Sequence, residues 1–137
     1  MKIHTDYMTV QTLKQREFIT ITSNVKSAVE KSGLHDGIVL VCSLHSNSAV
    51  FVNDDEPGLQ IDIETWLAQI APIRADYKHA TRTESNAGVH LQGLLLGQQV
   101  VLSLTGGKIE LGPWQSIVFA ELDGLRPKRI VIKILGE

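Results

Sequence analysis

The sequence predicts an α+β fold: a largely antiparallel β-sheet or sandwich with helices inserted between the strands. Three observations lead there. Stretches rich in β-branched residues open and close the chain, stretches of helical period fall between them without strict alternation, and the last third reads as strands separated by glycine turns. At 137 residues the chain is the size of one domain, able to bury roughly two thirds of its unfolded surface. Residues 1–137 are therefore expected to form a single domain.

The elements follow in order. Ile3 to Leu13 and Glu17 to Thr22, rich in threonine and β-branched side chains around Lys14-Gln15-Arg16, predict a hairpin. Ser23 or Asn24 is placed to cap a helix with a buried stripe of Val25, Ala28 and Val29, ended at Gly33. Ile38 to Ser43 predicts a buried strand and Ala49 to Val52 a shorter one. Pro57 suits the first turn of a second helix, with Ile63, Trp66, Leu67 and Ile70 spaced for one face and Pro72 stopping it. Asn86 caps a short helix running through Leu96 and ended by Gly97, with Leu91, Leu94 and Leu95 read as core-facing. Strands then follow over Val100 to Thr105, Lys108 to Leu111, Trp114 to Leu122 and Ile130 to Leu135, with turns at Gly106-Gly107 and Gly124.

Composition narrows the function. With 43% hydrophobic and 20% charged residues the balance is that of a globular protein. A net charge of −2 without a dense Lys/Arg run argues against nucleic acid, whose binding rests on phosphate neutralisation. The cluster Arg126, Lys128 and Arg129 reads, for the last two, as a solvated turn. No apolar run approaches the roughly 20 residues that span a bilayer, and no leader pattern opens the chain, so a cytoplasmic location and no membrane partner are expected. The one cysteine, Cys42, lies in an apolar strand and reads as a small buried hydrophobe, not a nucleophile.

Chemistry is most legible in three of the five histidines. His45, His79 and His90 each stand among small polar residues at the edge of an apolar segment. Three imidazoles with an open position are the usual plan of a catalytic zinc site, though no pair here shares a helix face, so only the fold can bring them together. His4, in an alternating strand, and His35, in a glycine-flanked turn, are left outside the site. Ser46, Asn47 and Ser48 either supply small donors suited to phosphate oxygens or form a plain polar turn, and the Ser85–Gly88 helix start offers free N–H groups. Arg126 is the candidate for a bidentate phosphate contact. Trp114 and Gln115 either flank a planar ring or belong to the core. Asp54 serves as a base, orients a histidine, or belongs to a solvated loop; Glu121 either pairs with Arg126 or faces water by strand alternation.

These motifs together resemble the YjbQ-like family, known as secondary thiamine-phosphate synthases. The resemblance covers nearly the whole chain and is carried by Asn86-Ala87-Gly88-Val89-His90-Leu91, by Leu111-Gly112-Pro113-Trp114-Gln115 and by Ala120 through Arg126. His45-Ser46-Asn47-Ser48-Ala49 stands for the family's His-Thr-Thr-Ala, Asn53-Asp54 for its Asn-Glu, and Leu125 for the proline of Asp-Gly-Pro-Arg. What the resemblance implies is a homotrimer whose histidines hold a divalent metal, zinc by ligand preference. It also implies a small phosphorylated substrate: hydroxymethylpyrimidine diphosphate joined to thiazole phosphate with loss of pyrophosphate. Asp54 and Glu121 would be the carboxylates of that reaction. Metal-assisted hydrolysis of a small phosphoester and a non-catalytic ligand-binding trimer are the alternatives.

Overall fold

The structure, a computed structural model, describes residues 1–74, 76–79 and 86–137. Its strands are β1 (Lys2–Val10), β2 (Glu17–Thr20), β3 (Gly37–Ser43), β4 (Ser48–Asn53), β5 (Gln99–Thr105), β6 (Lys108–Ile109), β7 (Ser116–Glu121) and β8 (Lys128–Gly136). The helices are α1 (Thr22–Ser32), α2 (Pro57–Ile70) and α3 (Ala87–Leu96). A five-stranded sheet in the order β1-β8-β3-β5-β6 faces a three-stranded sheet β2-β7-β4, every pairing antiparallel. The α+β class is as the sequence predicts.

Burial explains the pairing. In β8 the residues Lys128, Ile130, Ile132 and Ile134 alternate inward, the period-2 pattern of a sheet covered on one face. In β7, Ile117 through Glu121 are buried without alternation, because both faces of the small sheet are covered. Ile117 and Phe119 meet the large sheet and α1 in the main core, whereas Ala120 meets Ala49 and Val89 under α3. The large sheet leaves its outer face open, with Ile3, Tyr7, Ile38 and Val101 exposed.

Several local expectations give way to this tertiary arrangement. β1 and β2 do not form a hairpin. β1 pairs with β8 and β2 with β7, since Ile19 and Phe18 are needed on the small sheet while Met8 and Val10 pack on the large one. The first helix begins at Thr22 with Ile21 as its cap, so Ser23 and Asn24 lie inside the first turn. In α2 only Leu67 is fully buried, and Trp66 and Ile70 face outward. Leu91, Leu94 and Leu95 of α3 are likewise exposed, while Ala87, Val89 and Gln92 face the core. Trp114 precedes its strand and is 75% exposed. Cys42 is half-buried, and that burial pushes its thiol above the ordinary range, away from nucleophile chemistry.

Local chemistry sets the remaining boundaries. Gly106 and Gly107 both adopt positive φ, the type I′ geometry that closes β5 onto β6. Glu56 caps α2 by accepting from Gly58 N–H at 2.8 Å and Leu59 N–H at 2.7 Å, bonds that hold its carboxyl below the usual range. Leu125 takes φ 71°, a left-handed conformation that a proline, fixed near −65°, cannot adopt. The turn here is thus a different one from that of an Asp-Gly-Pro-Arg chain, not a loosened copy of it.

Lys128 is not a surface residue. It is 2% exposed and Glu121 0% exposed, and Lys128 Nζ lies 2.6 Å from Glu121 Oε2, joining the two sheets. Asp123 closes the turn on the same pair: its carbonyl accepts from Nζ at 3.1 Å and its N–H donates to Oε2 at 3.3 Å. Glu121 Oε1 is buried without a hydrogen-bond partner among the described residues, so the pair's desolvation is incompletely offset. Lys128→Met alone should strand the carboxylate and lower stability by about 3–5 kcal/mol. The double substitution Lys128→Met with Glu121→Leu should restore most of that loss, as urea unfolding of the three proteins would show.

Candidate functional site

The loop leaving β3 sets His45 in place through its backbone. Ser43 Oγ bridges the loop, accepting from His45 N–H and donating to the His45 carbonyl, both at 3.2 Å. Ser48 Oγ lies 3.3 Å from the same carbonyl and pairs with Ser43 Oγ, so the two hydroxyl protons are shared between that carbonyl and each other. Ser48 is fully buried, so its hydroxyl serves the loop and not a ligand. Ser46 is exposed, and the Asn47 carbonyl accepts from Leu122 N–H at 3.3 Å, tying the loop to the end of β7. The ring of His45 is held in turn: its Nε2 accepts the main-chain N–H of Arg129 at 3.0 Å.

His90 projects from α3 beside this loop. It lines two neighbouring depressions, one of about 510 Å³ shared with His45, Ser46 and Gln98, the other of about 370 Å³ shared with His79 and Tyr77. His79 and His90 stand with ring centroids 5.0 Å apart and planes at 76°. Asn86 occupies the cap position of α3, yet its side chain makes no cap bond. Its Oδ1 instead lies 3.0 Å from His79 Nε2, so the residue that begins the helix also orients a histidine.

The fold thus gathers His45, Ser46, His79, Asn86 and His90 at one end of the small sheet. Gly88 lies there too, but a Cβ on it would stand 2.4 Å from the Pro72 carbonyl; close packing, not anion contact, accounts for it. Ser85 lies outside the described residues. Arg126 is exposed in the turn that follows Leu122. Glu121 is in the core, and its partner is Lys128, not Arg126.

Asp54, Trp114 and Gln115 are at the opposite end. Asn53 pairs with Ser116 at one end of the β4–β7 ladder and Ser48 with Glu121 at the other, a separation of about 17 Å at roughly 3.4 Å per residue. Gln115 Oε1 accepts from Gly112 N–H at 2.8 Å inside its own turn. Among the described residues, no three His, Cys, Asp or Glu side chains are grouped so as to hold a metal ion.

Sequence reasoning missed two supports. Gln92, 1% exposed, accepts from Arg16 Nη2 at 2.7 Å and donates to the Ala71 carbonyl at 2.8 Å. Arg16 in turn grips Glu64 with two bonds of 2.9 and 2.7 Å, fastening α2 to α3. The one hint was a glutamine among the apolar residues that surround it in α3. The N–H of Arg129 left no trace at all, since every residue but proline carries that group.

Fold and site define an α+β two-sheet domain that opens a histidine-lined cleft at one end of its smaller sheet. Residues 6–137 match the family model described as UPF0047 protein, YjbQ-like. A UPF0047 protein of Methanothermobacter thermautotrophicus is 41% identical over 137 residues, covering 100% of this chain and 95% of the relative. A YbjQ-like protein of unknown function from Sulfolobus solfataricus superposes with a TM-score of 0.93 at 38% identity, covering 99% of each chain. An uncharacterised YjbQ/UPF0047 protein of Clostridium acetobutylicum gives 0.88 at 34% identity, over 95% of this chain and 99% of its own. The chain belongs to the YjbQ-like UPF0047 family. No helix among the described residues is long and apolar enough to cross a membrane, which does not bear on strand-built pores.

Proposed function

We propose that this protein is a divalent-metal-dependent enzyme acting on a small phosphorylated molecule, with the joining of hydroxymethylpyrimidine diphosphate and thiazole phosphate as the reaction to test first. The observation that carries the reading is the His79–His90 pair. Two imidazoles bound to one zinc at about 2.0–2.1 Å and near the tetrahedral angle have ring centroids roughly 5 Å apart, which matches their 5.0 Å separation. Asn86 Oδ1, an acceptor, lies against His79 Nε2, so the proton of the neutral ring belongs there and the lone pair on Nδ1. His79 and His90 would hold the ion, whose positive charge would neutralise a departing phosphate. His45 and the Ser46 hydroxyl line the adjoining space, and Arg126 stands exposed on the turn beyond Leu122, whose N–H is bonded to the Asn47 carbonyl of the same loop. Zinc titrated into metal-free protein should bind at one site per chain. His90→Ala should abolish that binding and the pyrophosphate released from the two substrates. Retention of full zinc affinity in a folded His90→Ala protein would overturn the assignment.

The same reading includes a homotrimer. Asp54 and Trp114 lie at the far end of the small sheet from His45, so they would join the cleft only from a neighbouring copy, and a head-to-tail ring places unlike ends together. Apolar surface is available for such contacts on the outer face of the large sheet at Ile3, Ile38 and Val101, and on α3 at Leu94 and Leu95. Ile117 to Phe119 are buried in the core and add nothing to it. Sedimentation at micromolar protein should give a species of three 15.1 kDa chains; a monomer alone would contradict the assembly.

A further inference from the structure

The groups standing behind the His79 and His45 rings set these two histidines apart. A metal-bound imidazole carries its proton on the nitrogen away from the ion, and that N–H requires an acceptor such as a carbonyl or carboxylate. His79 has one, Asn86 Oδ1 at 3.0 Å. His45 has the opposite: a donor, the main-chain N–H of Arg129, 3.0 Å from its Nε2. An N–H directed at Nε2 requires a lone pair there, so the neutral ring carries its proton on Nδ1. That nitrogen then has no lone pair to give a metal.

The donor is not a side chain that could swing away. Arg129 belongs to β8, and its carbonyl accepts from Leu44 N–H at 3.1 Å, one step beyond the Ser43–Ile130 pair that ends the β3–β8 ladder. In an antiparallel ladder the Arg129 N–H would next donate to a carbonyl of the opposite strand. The His45 ring takes that carbonyl's place. Freeing Nε2 would cost the ladder a hydrogen bond, and protonating it would set two donors face to face.

We infer that His45 is not a metal ligand but a hydrogen-bond donor, through Nδ1–H, to a phosphate oxygen seated in the cleft it shares with Ser46 and His90. Among the described residues Nδ1 has no partner, and no Asp or Glu of theirs lines the cleft to repel an anion. Ser46 adds a hydroxyl on an exposed position. A volume of about 510 Å³ lies within the range of small-molecule sites. Gln98 completes the wall with its amide nitrogen already committed to the Ser48 carbonyl at 2.8 Å. The inference rests on the phosphate-handling reading and deepens it, assigning metal to His79 and His90 and phosphate to His45.

Nitrogen-15 NMR of the histidine rings tests it, with zinc and inorganic phosphate titrated separately and then together. The free protein should show His45 protonated at Nδ1. Zinc should shift the rings of His79 and His90 and leave His45 in place, whereas phosphate should shift His45 Nδ1. Calorimetry of two variants completes the test. His45→Gln keeps an amide oxygen for the Arg129 N–H and removes the Nδ1 donor, so phosphate affinity should fall roughly 10- to 150-fold with zinc binding unchanged. His45→Asn, whose amide nitrogen reaches the position of Nδ1, should recover part of that affinity. Loss of the Nδ1 proton on adding zinc, loss of zinc from His45→Gln, or unaltered phosphate affinity in that variant would overturn the inference. Failure of zinc to bind while phosphate still shifts His45 would instead defeat the metal assignment and leave this one standing.

Discussion

The arrangement depends on a buried charge pair, Lys128 with Glu121, that spans the two sheets where β7 ends and β8 begins. The chain must leave the small sheet, turn, and enter the large sheet within six residues, and the pair fixes where each strand stops. Asp123 is bonded to it through both its N–H and its carbonyl. Leu122, next to Glu121, donates to the Asn47 carbonyl. Arg129, next to Lys128, donates to the His45 ring. The loop bearing His45 is therefore held from both sides by residues adjacent to the pair. A buried pair of this kind is weak evidence for stability, because the desolvation of two charges rivals their attraction. Its effect here is geometric: it sets the register of the backbone that positions the site.

The second constraint is the double covering of the small sheet. With the large sheet and α1 on one face and α3 on the other, the ends of the small sheet are the places where polar side chains gather beside a rigid frame. One end carries His45, His79 and His90, and the other Asp54, Gln115 and Trp114. A depression of similar size, about 520 Å³, lies by Arg16, Glu64 and Pro57. Arg16 and Glu64 are spent on each other there, and Lys14 and Glu17 bring opposite charges to its wall, whereas the histidine cleft pairs imidazoles with the Ser46 hydroxyl.

Much of the fold was legible in the sequence where a pattern is local. The span of α2 followed from Pro57 and Pro72, that of α3 from Asn86 and Gly97, and the β5–β6 turn from Gly106-Gly107. Partnership between distant segments was not, because alternation identifies a strand but not its neighbour; β1 and β2 look like a hairpin and join different sheets. Charge also misled. Lys128 beside Arg126 and Arg129 resembles a solvated cluster, and only the register of β8 turns it inward against Glu121. For the site, residue types pointed to the three histidines, and the fold does bring them around shared depressions. The polarity that distinguishes them arises from an asparagine oxygen in one case and a main-chain N–H in the other, and a backbone donor is invisible to any reading of side chains.

The central claim, that the histidines divide between a metal and an oxyanion, is met most directly by a crystal structure of the protein grown with zinc and inorganic phosphate, with the ion located by anomalous scattering at the zinc edge. The account predicts an ion at about 2.0–2.1 Å from a nitrogen of His79 and of His90. His45 Nε2 should still accept from Arg129 N–H, with Nδ1 turned to a phosphate oxygen. An ion bound by a nitrogen of His45, with the Arg129 contact broken, would contradict it.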